Sequence, residues 1–141
     1  HTLVPLGAEI TLSGPPTLVP AAWRCGQLPA GVRYEEDADR ALDGAHAVIA
    51  LRLQRERMEA GLLPSLREYA ITWGLTEARV ARMRPGAPVL HPGPMNEGVE
   101  IDAAVAHGPR SLIERQVTNG VAVRMALLHL LAGTPAAEVA A

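Results

Sequence analysis

The chain has 141 residues, enough for one domain with a hydrophobic core of ordinary size. Its apolar content of 48% and charged content of 20% are typical of a soluble globular protein, and a net charge of −2 favours neither a nucleic-acid nor a membrane partner. All thirteen basic residues are arginines, which excludes lysine Schiff-base chemistry and a P-loop lysine within this chain.

The cysteine content and the first residues bear on the compartment and on the extent of the protein. Cys25 is the single cysteine, so no disulfide can form within the chain and a reducing cytoplasm is expected. No apolar run approaches the length of a membrane span. The first six residues lack an initiator Met and resemble the end of a helix that Gly7 terminates. We therefore expect the chain to be a piece of a longer protein.

Short apolar runs bounded by turn-forming residues predict strands that alternate with helices. The predicted strands span residues 8–13, 32–34, 45–53 and 89–90. The predicted helices span residues 21–24, 36–43, 56–60, 65–73, 76–84 and 111–131. Ser65 and Thr76 carry hydroxyls of the kind that cap helix N-termini. This order predicts an α/β fold, a three-layer sandwich with a parallel sheet of about four strands flanked by helices.

The last predicted helix carries an apolar stripe at helical spacing. Its members are Ile113, Val117, Gly120, Val121, Leu127, Leu128 and Leu131. A Gly-Thr-Pro sequence at 133–135 is expected to end the helix, and the Ala-rich residues 135–141 to form a loose tail. We therefore predict one domain over residues 1–134.

The predicted strand at 45–53 ends in a sequence suited to binding an anion. Side chains alternate along a strand, so Arg52 and Gln54 are expected to leave the same face near its carboxyl end. Ligands of open parallel sheets bind at that edge, and an Arg fork matches a carboxylate or a phosphate. Two other interpretations stay open: Arg52 pairs with Glu56 at the surface, and Gln54 caps the next helix.

A second candidate segment follows the predicted strand at 89–90. Its loop has Pro92 and Pro94 on either side of Gly93, so the prolines stiffen it while the glycine allows close approach to a ligand. A simple tight turn is the alternative interpretation. His91 has the chemistry of a base, but we interpret it as a residue that locks the proline loop. His46, His107 and His129 lack metal-ligand spacing.

Five ordered blocks of this sequence resemble a known family, aspartate carbamoyltransferase, specifically its carboxy-terminal, aspartate-binding half. The resemblance covers about residues 5–133. The blocks are GAE with GPPTL (7–9 and 14–18), LRLQRERM (51–58), EY with GLT (68–69 and 74–76), HPGPMN with GVEI (91–96 and 98–101), and QVTNGV (116–121).

The resemblance implies a role for each candidate. Arg52 and Gln54 would hold aspartate, and the backbone carbonyls of Gly93 and Pro94 would contact carbamoyl phosphate and the attacking amine. Arg57 would support the loop after the strand. The implied reaction transfers the carbamoyl group of carbamoyl phosphate to L-aspartate in pyrimidine biosynthesis, with no metal or organic cofactor. None of the residues in this piece would be catalytic.

The implied partners lie outside this sequence. The phosphate pocket and the oxyanion donors would belong to an amino-terminal carbamoyl-phosphate domain. The complete chain would work as a homotrimer, because the family's active sites lie between subunits. Whether regulatory or dihydroorotase subunits assemble with it is left open. We expect the 141 residues alone to have no measurable carbamoyl transfer.

One departure and two alternatives qualify this interpretation. Where the family motif usually reads Met-Asn-Arg-Gly, this chain has Glu97, which would weaken aspartate binding if its side chain faced the ligand. Ornithine carbamoyltransferase shares the fold but carries a cysteine in the loop that here has Gly93. The other alternative is a non-catalytic α/β module for ligand binding or assembly.

Overall fold

The computed structural model describes residues 2–54 and 65–132. The predicted helix at 56–60 and the tail at 135–141 lie outside these residues. The strands are β1 (Ile10–Leu12), β2 (Val32–Tyr34), β3 (Val48–Ile49) and β4 (Val89–Leu90). The helices are α1 (Ala21–Arg24), α2 (Ala38–Leu42), α3 (Leu66–Trp73), α4 (Glu77–Ala81), α5 (Ala103–Ala106) and α6 (Ile113–Ala132), with 3-10 turns at Val4–Leu6 and Pro16–Leu18.

Parallel strands flanked by helices confirm the predicted α/β class, but the strands within the described residues form two separate pairs. β1 pairs with β2, and β3 pairs with β4. The other edge of β4 is occupied, since Val89 accepts from the Leu112 N–H and donates to the Arg110 carbonyl, both at 2.9 Å. Within the described residues, the predicted sheet of about four strands is thus seen as two pairs, with residues 110–112 along the other edge of β4.

The predicted strand at 45–53 is also longer than β3. Only Val48 and Ile49 have ladder partners, because β4 itself offers just Val89 and Leu90. Beyond Ile49 the chain stays attached for one further hydrogen bond, from the Ala50 N–H to the Leu90 carbonyl at 2.9 Å. A strand is defined by its pairing, so the apolar run continues past the point at which the strand ends.

The core lies around β4 and the segment before α5. Val89 and Ile101 are fully buried at its centre. The other buried members in α2, α4, α5 and the first turn of α6 are Leu42, Val80, Val105, Ala106 and Ile113, and those in connecting segments are Leu75, Met83 and Ala87. Because this core packs under β3 and β4, it supports the loops that leave the carboxyl ends of both strands.

Helix capping follows the predictions. The Ser65 hydroxyl accepts from the Glu68 N–H at 3.0 Å, and the Thr76 hydroxyl accepts from the Arg79 N–H at 3.3 Å. Asp37 caps α2, and the backbone hydrogen bond from Arg40 is the main cause that lowers its pKa. Gly7 ends the first 3-10 turn with φ 85°, a conformation that favours glycine.

Arg79 of α4 forms hydrogen bonds with both α2 and the end of α3. Its guanidinium donates to Asp39 at 2.8 Å and to three carbonyls at the end of α3, those of Ile71, Thr72 and Gly74. The indole of Trp73 adds a hydrogen bond to the Glu36 carbonyl at 3.0 Å. These contacts satisfy helix C-terminal carbonyls that would otherwise lack partners.

Helix α6 has the predicted extent but a surface that the described residues do not cover. Ile113 in its first turn is buried, whereas Val121, Leu128 and Leu131 are 51%, 66% and 79% exposed. The predicted apolar stripe therefore packs only at its beginning. No helix within the described ranges is both long enough and apolar enough to cross a membrane.

Candidate functional site

The first candidate segment leaves β3 and ends beside the core. Leu53 is buried, while Arg52 is half-buried and Gln54 is exposed. Both polar residues lie beyond the last paired residue of β3, so that they share one face of the strand stays a prediction. Leu53 anchors the segment, and its two neighbours are both more exposed than it is. Arg57 and Glu56, which the sequence analysis also considered, lie outside the described residues.

The second segment, the loop 91–96, is folded around the His91 ring. Gly93 has φ 67°, and the Gly93–Pro94 peptide bond is cis. The Gly93 N–H donates to His91 Nδ1 at 2.9 Å, and His91 is fully buried. The interpretation that His91 locks the proline loop is confirmed, because its ring bonds directly to the loop backbone.

Glu100 is a buried carboxylate that collects three donors from the same loop. Its Oε1 accepts from His91 Nε2 at 3.2 Å and from the Asn96 N–H at 2.6 Å, and its Oε2 accepts from Asn96 Nδ2 at 3.1 Å. Only 3% of Glu100 is exposed. An ionised carboxylate has only acceptors, so three donors match its chemistry and offset its removal from water.

The partners of the His91 ring assign its tautomer. Nδ1 receives the Gly93 N–H and therefore carries a lone pair, which leaves the proton on Nε2 to be donated to Glu100. The main-chain N–H of His91 donates to the Gln116 side-chain carbonyl at 3.0 Å. The loop is thus held by Glu100 on one side and by α6 on the other.

Asn96 joins the two candidate segments. Its side-chain Nδ2 donates to the Leu53 carbonyl at 3.3 Å as well as to Glu100. Leu53 lies between Arg52 and Gln54, and Asn96 lies two residues after Pro94. The structure therefore brings together the strand end and the proline loop through a side chain that the sequence analysis did not assign to the site.

Tyr69 of α3 lies within the electrostatic reach of this cluster. Burial is the main cause that raises the pKa of its phenol, and the negative charge of Glu100 raises it further. A neutral phenol is therefore the form present beside Glu100 at ordinary pH. Within residues 2–54 and 65–132, no three His, Cys, Asp or Glu side chains lie close enough to hold a metal ion.

Comparison with known proteins places these motifs in a family. The family model described as "Aspartate/ornithine carbamoyltransferase, Asp/Orn binding domain" matches residues 2–131, nearly the whole chain. The chain belongs to the aspartate/ornithine carbamoyltransferase family. The resemblance inferred from the five sequence blocks is confirmed.

Individual relatives show how much of a carbamoyltransferase this chain represents. The aspartate carbamoyltransferase catalytic subunit of Granulibacter bethesdensis is 55% identical over 133 residues, which are 94% of this chain and 41% of that protein. The corresponding subunit of Chloroflexus aurantiacus is 56% identical over 132 residues, 93% of this chain and 42% of that protein. The chain therefore spans less than half the length of these curated relatives.

A solved carbamoyltransferase has the same fold. Ornithine carbamoyltransferase from Thermus thermophilus superimposes with a TM-score of 0.72 at 25% identity, over 92% of this chain and 42% of that one. The α/β class with parallel strands and flanking helices is thus shared with a complete enzyme. The curated aspartate relatives are more similar in sequence than this ornithine enzyme.

Glu97, the residue that departs from the family motif, contacts a histidine at the surface. Glu97 Oε1 lies 3.0 Å from His107 Nε2 at the end of α5, and the two side chains are 43% and 61% exposed. Glu97 is therefore engaged at the surface with a residue of the following helix. His107, for which the sequence predicted no role as a metal ligand, is the other member of this pair.

Three polar residues that build the loop of this carbamoyltransferase domain were not predicted from the sequence: Asn96, Glu100 and Gln116. All three stood within the quoted blocks but received no role. Glu100 has a detectable signal, since it lies between the apolar residues Val99 and Ile101. An acid in such a position requires several donors, and a search for them would have led to His91 and Asn96.

Proposed function

We propose that the complete protein transfers the carbamoyl group of carbamoyl phosphate to the α-amino group of L-aspartate, giving N-carbamoyl-L-aspartate and phosphate. This domain would supply the aspartate-binding half. The observation that carries the proposal is the hydrogen bond from Asn96 to Leu53, which joins the Arg52–Gln54 segment to the proline loop. The two curated relatives, both named as aspartate carbamoyltransferase catalytic subunits, support the same assignment.

Arg52 and Gln54 would recognise the amino acid. A guanidinium presents two parallel N–H groups that match a carboxylate, and L-aspartate has two carboxylates. The Gln54 amide can both donate and accept, so it suits a substrate that carries a carboxylate and an amine. Both residues adjoin the buried Leu53, which limits their movement at the strand end.

The carbonyls of Gly93 and Pro94 would orient the reacting groups. A peptide carbonyl accepts hydrogen bonds from an amine or a carbamoyl NH₂ without titrating. The amine nitrogen attacks the carbamoyl carbon, a tetrahedral oxyanion forms, the C–O bond to phosphate breaks, and the nitrogen loses a proton. Rate enhancement in such a reaction comes from alignment and from stabilisation of the developing charge, and it requires no metal or organic cofactor.

The remaining parts of the active site would come from an amino-terminal carbamoyl-phosphate domain. The chain covers 41% of its Granulibacter relative, which leaves room for such a domain in the complete protein. The exposed apolar residues of α6 give it a surface to cover, since patches of this kind usually mark an interface. We also propose that the complete protein is a homotrimer, which the family resemblance supports. A cytoplasmic location is proposed as well, since the chain has a single cysteine.

The decisive experiment is an assay of the complete chain with carbamoyl phosphate and either L-aspartate or L-ornithine. We expect N-carbamoyl-L-aspartate and phosphate in equal amounts, and a preference for aspartate in kcat/KM of about 100-fold or more, since a cationic side chain would meet Arg52. Preferential carbamoylation of ornithine would contradict the proposal. Failure to turn over or to bind aspartate in calorimetry would instead support a non-catalytic module.

A further inference from the structure

We propose that Glu100 is a positioning residue for the amino-acid site. Through His91 and Asn96 it would hold the Gly93–Pro94 turn in register with the strand end that carries Arg52 and Gln54. This inference rests on the proposed function and extends it to a buried residue that contacts neither substrate. Two sets of hydrogen bonds leave the Glu100 carboxylate, one toward each segment of the site.

The first set of hydrogen bonds runs from Glu100 to the proline turn. The carboxylate accepts from His91 Nε2, and the opposite ring nitrogen accepts the Gly93 N–H. The carboxylate therefore selects the tautomer that leaves Nδ1 free to receive that N–H. With the proton on Nδ1, two donors would face each other and the turn would have to move. The Gly93 and Pro94 carbonyls would move with it.

The second set of hydrogen bonds runs from Glu100 to the strand end. The Asn96 N–H and Nδ2 both donate to the carboxylate, and Nδ2 also donates to the Leu53 carbonyl. With its amide held in this orientation, Asn96 joins the loop to the strand between Arg52 and Gln54. The same carboxylate thus sets the orientation of the turn and its attachment to the strand.

A carboxylate suits this position better than an amide of the same shape. Glutamine has one acceptor oxygen and one NH₂ group, so at least one of the three donors would face another donor. With Glu100 only 3% exposed, water has little access to relieve that conflict. We therefore expect Glu100→Gln to keep the volume of the side chain while shifting the loop.

The test uses the complete chain and a bisubstrate mimic in which a phosphonate is joined to aspartate through an amide. Such a mimic requires the loop and the strand end at their correct separation. In calorimetry, the stoichiometry reports the fraction of folded sites and the Kd reports their geometry. We expect E100Q to weaken the Kd of the mimic and to raise the aspartate KM by about 10-fold, at unchanged stoichiometry.

A second variant and a matched control make the test decisive. N96A, which removes the link to Leu53, should weaken binding to a similar degree, and the double variant should be no weaker than about the worse single one, because both act in one network. E97Q removes an exposed glutamate that also bonds to a histidine, and it should leave the Kd within about twofold. If E100Q does not fold, the Kd of the mimic for N96A tests the proposal.

The outcomes separate this inference from the proposed function. If the unmodified chain neither binds the mimic nor carbamoylates aspartate, the proposed function fails and the inference fails with it. If the unmodified chain is active and E100Q or N96A lowers only stability or stoichiometry at unchanged Kd and KM, Glu100 is merely structural. The positioning role is then overturned while the function stands.

Discussion

The side-chain amide of Asn96 donates a hydrogen bond to the main-chain carbonyl of Leu53, across 43 positions of the chain. This contact joins the end of the β3 segment to the loop that follows β4. Because the two strands are parallel, their carboxyl ends lie at the same edge and their loops can meet. The candidate aspartate site is therefore built from segments that are distant in sequence and directly bonded in space.

Arg52 is expected to decide the affinity for aspartate. Arg52→Lys keeps the charge but loses the planar fork, so the aspartate KM of the complete enzyme should rise by about 10-fold or more, with a smaller change for carbamoyl phosphate. Steady-state kinetics in both substrates measure the difference. Arg24→Lys, at an exposed position on α1, is the control and should leave both constants unchanged. An equal aspartate KM in the Arg52 variant would refute the assigned role.

Glu97 should have little influence on substrate binding despite its place in the family motif. Its carboxylate is paired with His107 at the surface, so Glu97→Gln is expected to change the aspartate KM by less than about twofold. Kinetics at low and moderate salt would test this. A large fall in KM in the variant would mean that the negative charge acts on the bound aspartate after all.

Tyr34 should make the folded state sensitive to alkaline pH. Its phenol donates to the Gly14 carbonyl at 2.8 Å, and burial followed by the charge of Glu36 raises its pKa above the usual 10.0. The folded state keeps this proton to higher pH than the unfolded state. The stabilisation is therefore complete below pH 10 and is lost as the pH rises through the folded pKa.

The matching variant is Tyr34→Phe. At neutral pH it should be less stable by about 1 kcal/mol because the hydrogen bond is lost. Above pH 10 the difference in the free energy of unfolding between parent and variant should become smaller, since only the parent loses the stabilisation by Tyr34. Chemical denaturation at a series of pH values gives the comparison. A free-energy difference that stays constant or increases with pH would contradict a raised pKa for Tyr34.

Arg79 is expected to contribute strongly to stability. It is 14% exposed and serves Asp39 together with three carbonyls at the end of α3. Arg79→Ala should lower the free energy of unfolding by about 3 kcal/mol, because these groups lose a charged donor. Arg82→Ala, which removes one exposed bond to the Asp39 carbonyl, should cost less than about 1 kcal/mol. Equal losses in urea unfolding would show that the burial of Arg79 has no special effect.

The 141-residue chain by itself should show no carbamoyl transfer, since the groups expected to bind phosphate are not within it. An assay with both substrates at high concentration, beside the complete protein as a positive control, tests this expectation. Robust turnover by the isolated chain would require a phosphate site among its own arginines.

Local signals in the sequence predicted the elements that depend on local chemistry. Ser65 and Thr76 cap their helices because a hydroxyl beside free N–H groups needs no distant partner. The short strand at Val89–Leu90 was correctly bounded, since Pro88 and the proline loop delimit it. The role of His91 was predicted because a histidine beside a proline loop more commonly fixes that loop than acts as a base.

Features that depend on distant partners could not be predicted from local patterns. β3 ends at Ile49 because its partner ends, and nothing near Leu53 encodes that limit. Helix α5 has four residues, too few for a periodic signal. The sequence marks Glu100 only as an acid between two apolar residues, and its partners become known from the positions of His91 and Asn96 in the fold.

The aromatic pair of α3 can serve as an intrinsic spectroscopic probe. The chain has no phenylalanine and only two tryptophans, and the Trp73 indole is bonded to the Glu36 carbonyl with the Tyr69 ring 5.9 Å away. Tyr69 thus contacts the Trp73 ring, and the charge of Glu100 helps to raise the pKa of its phenol after the larger effect of burial. Fluorescence and near-ultraviolet dichroism of this ring pair should therefore register a rearrangement of the buried loop without any attached label.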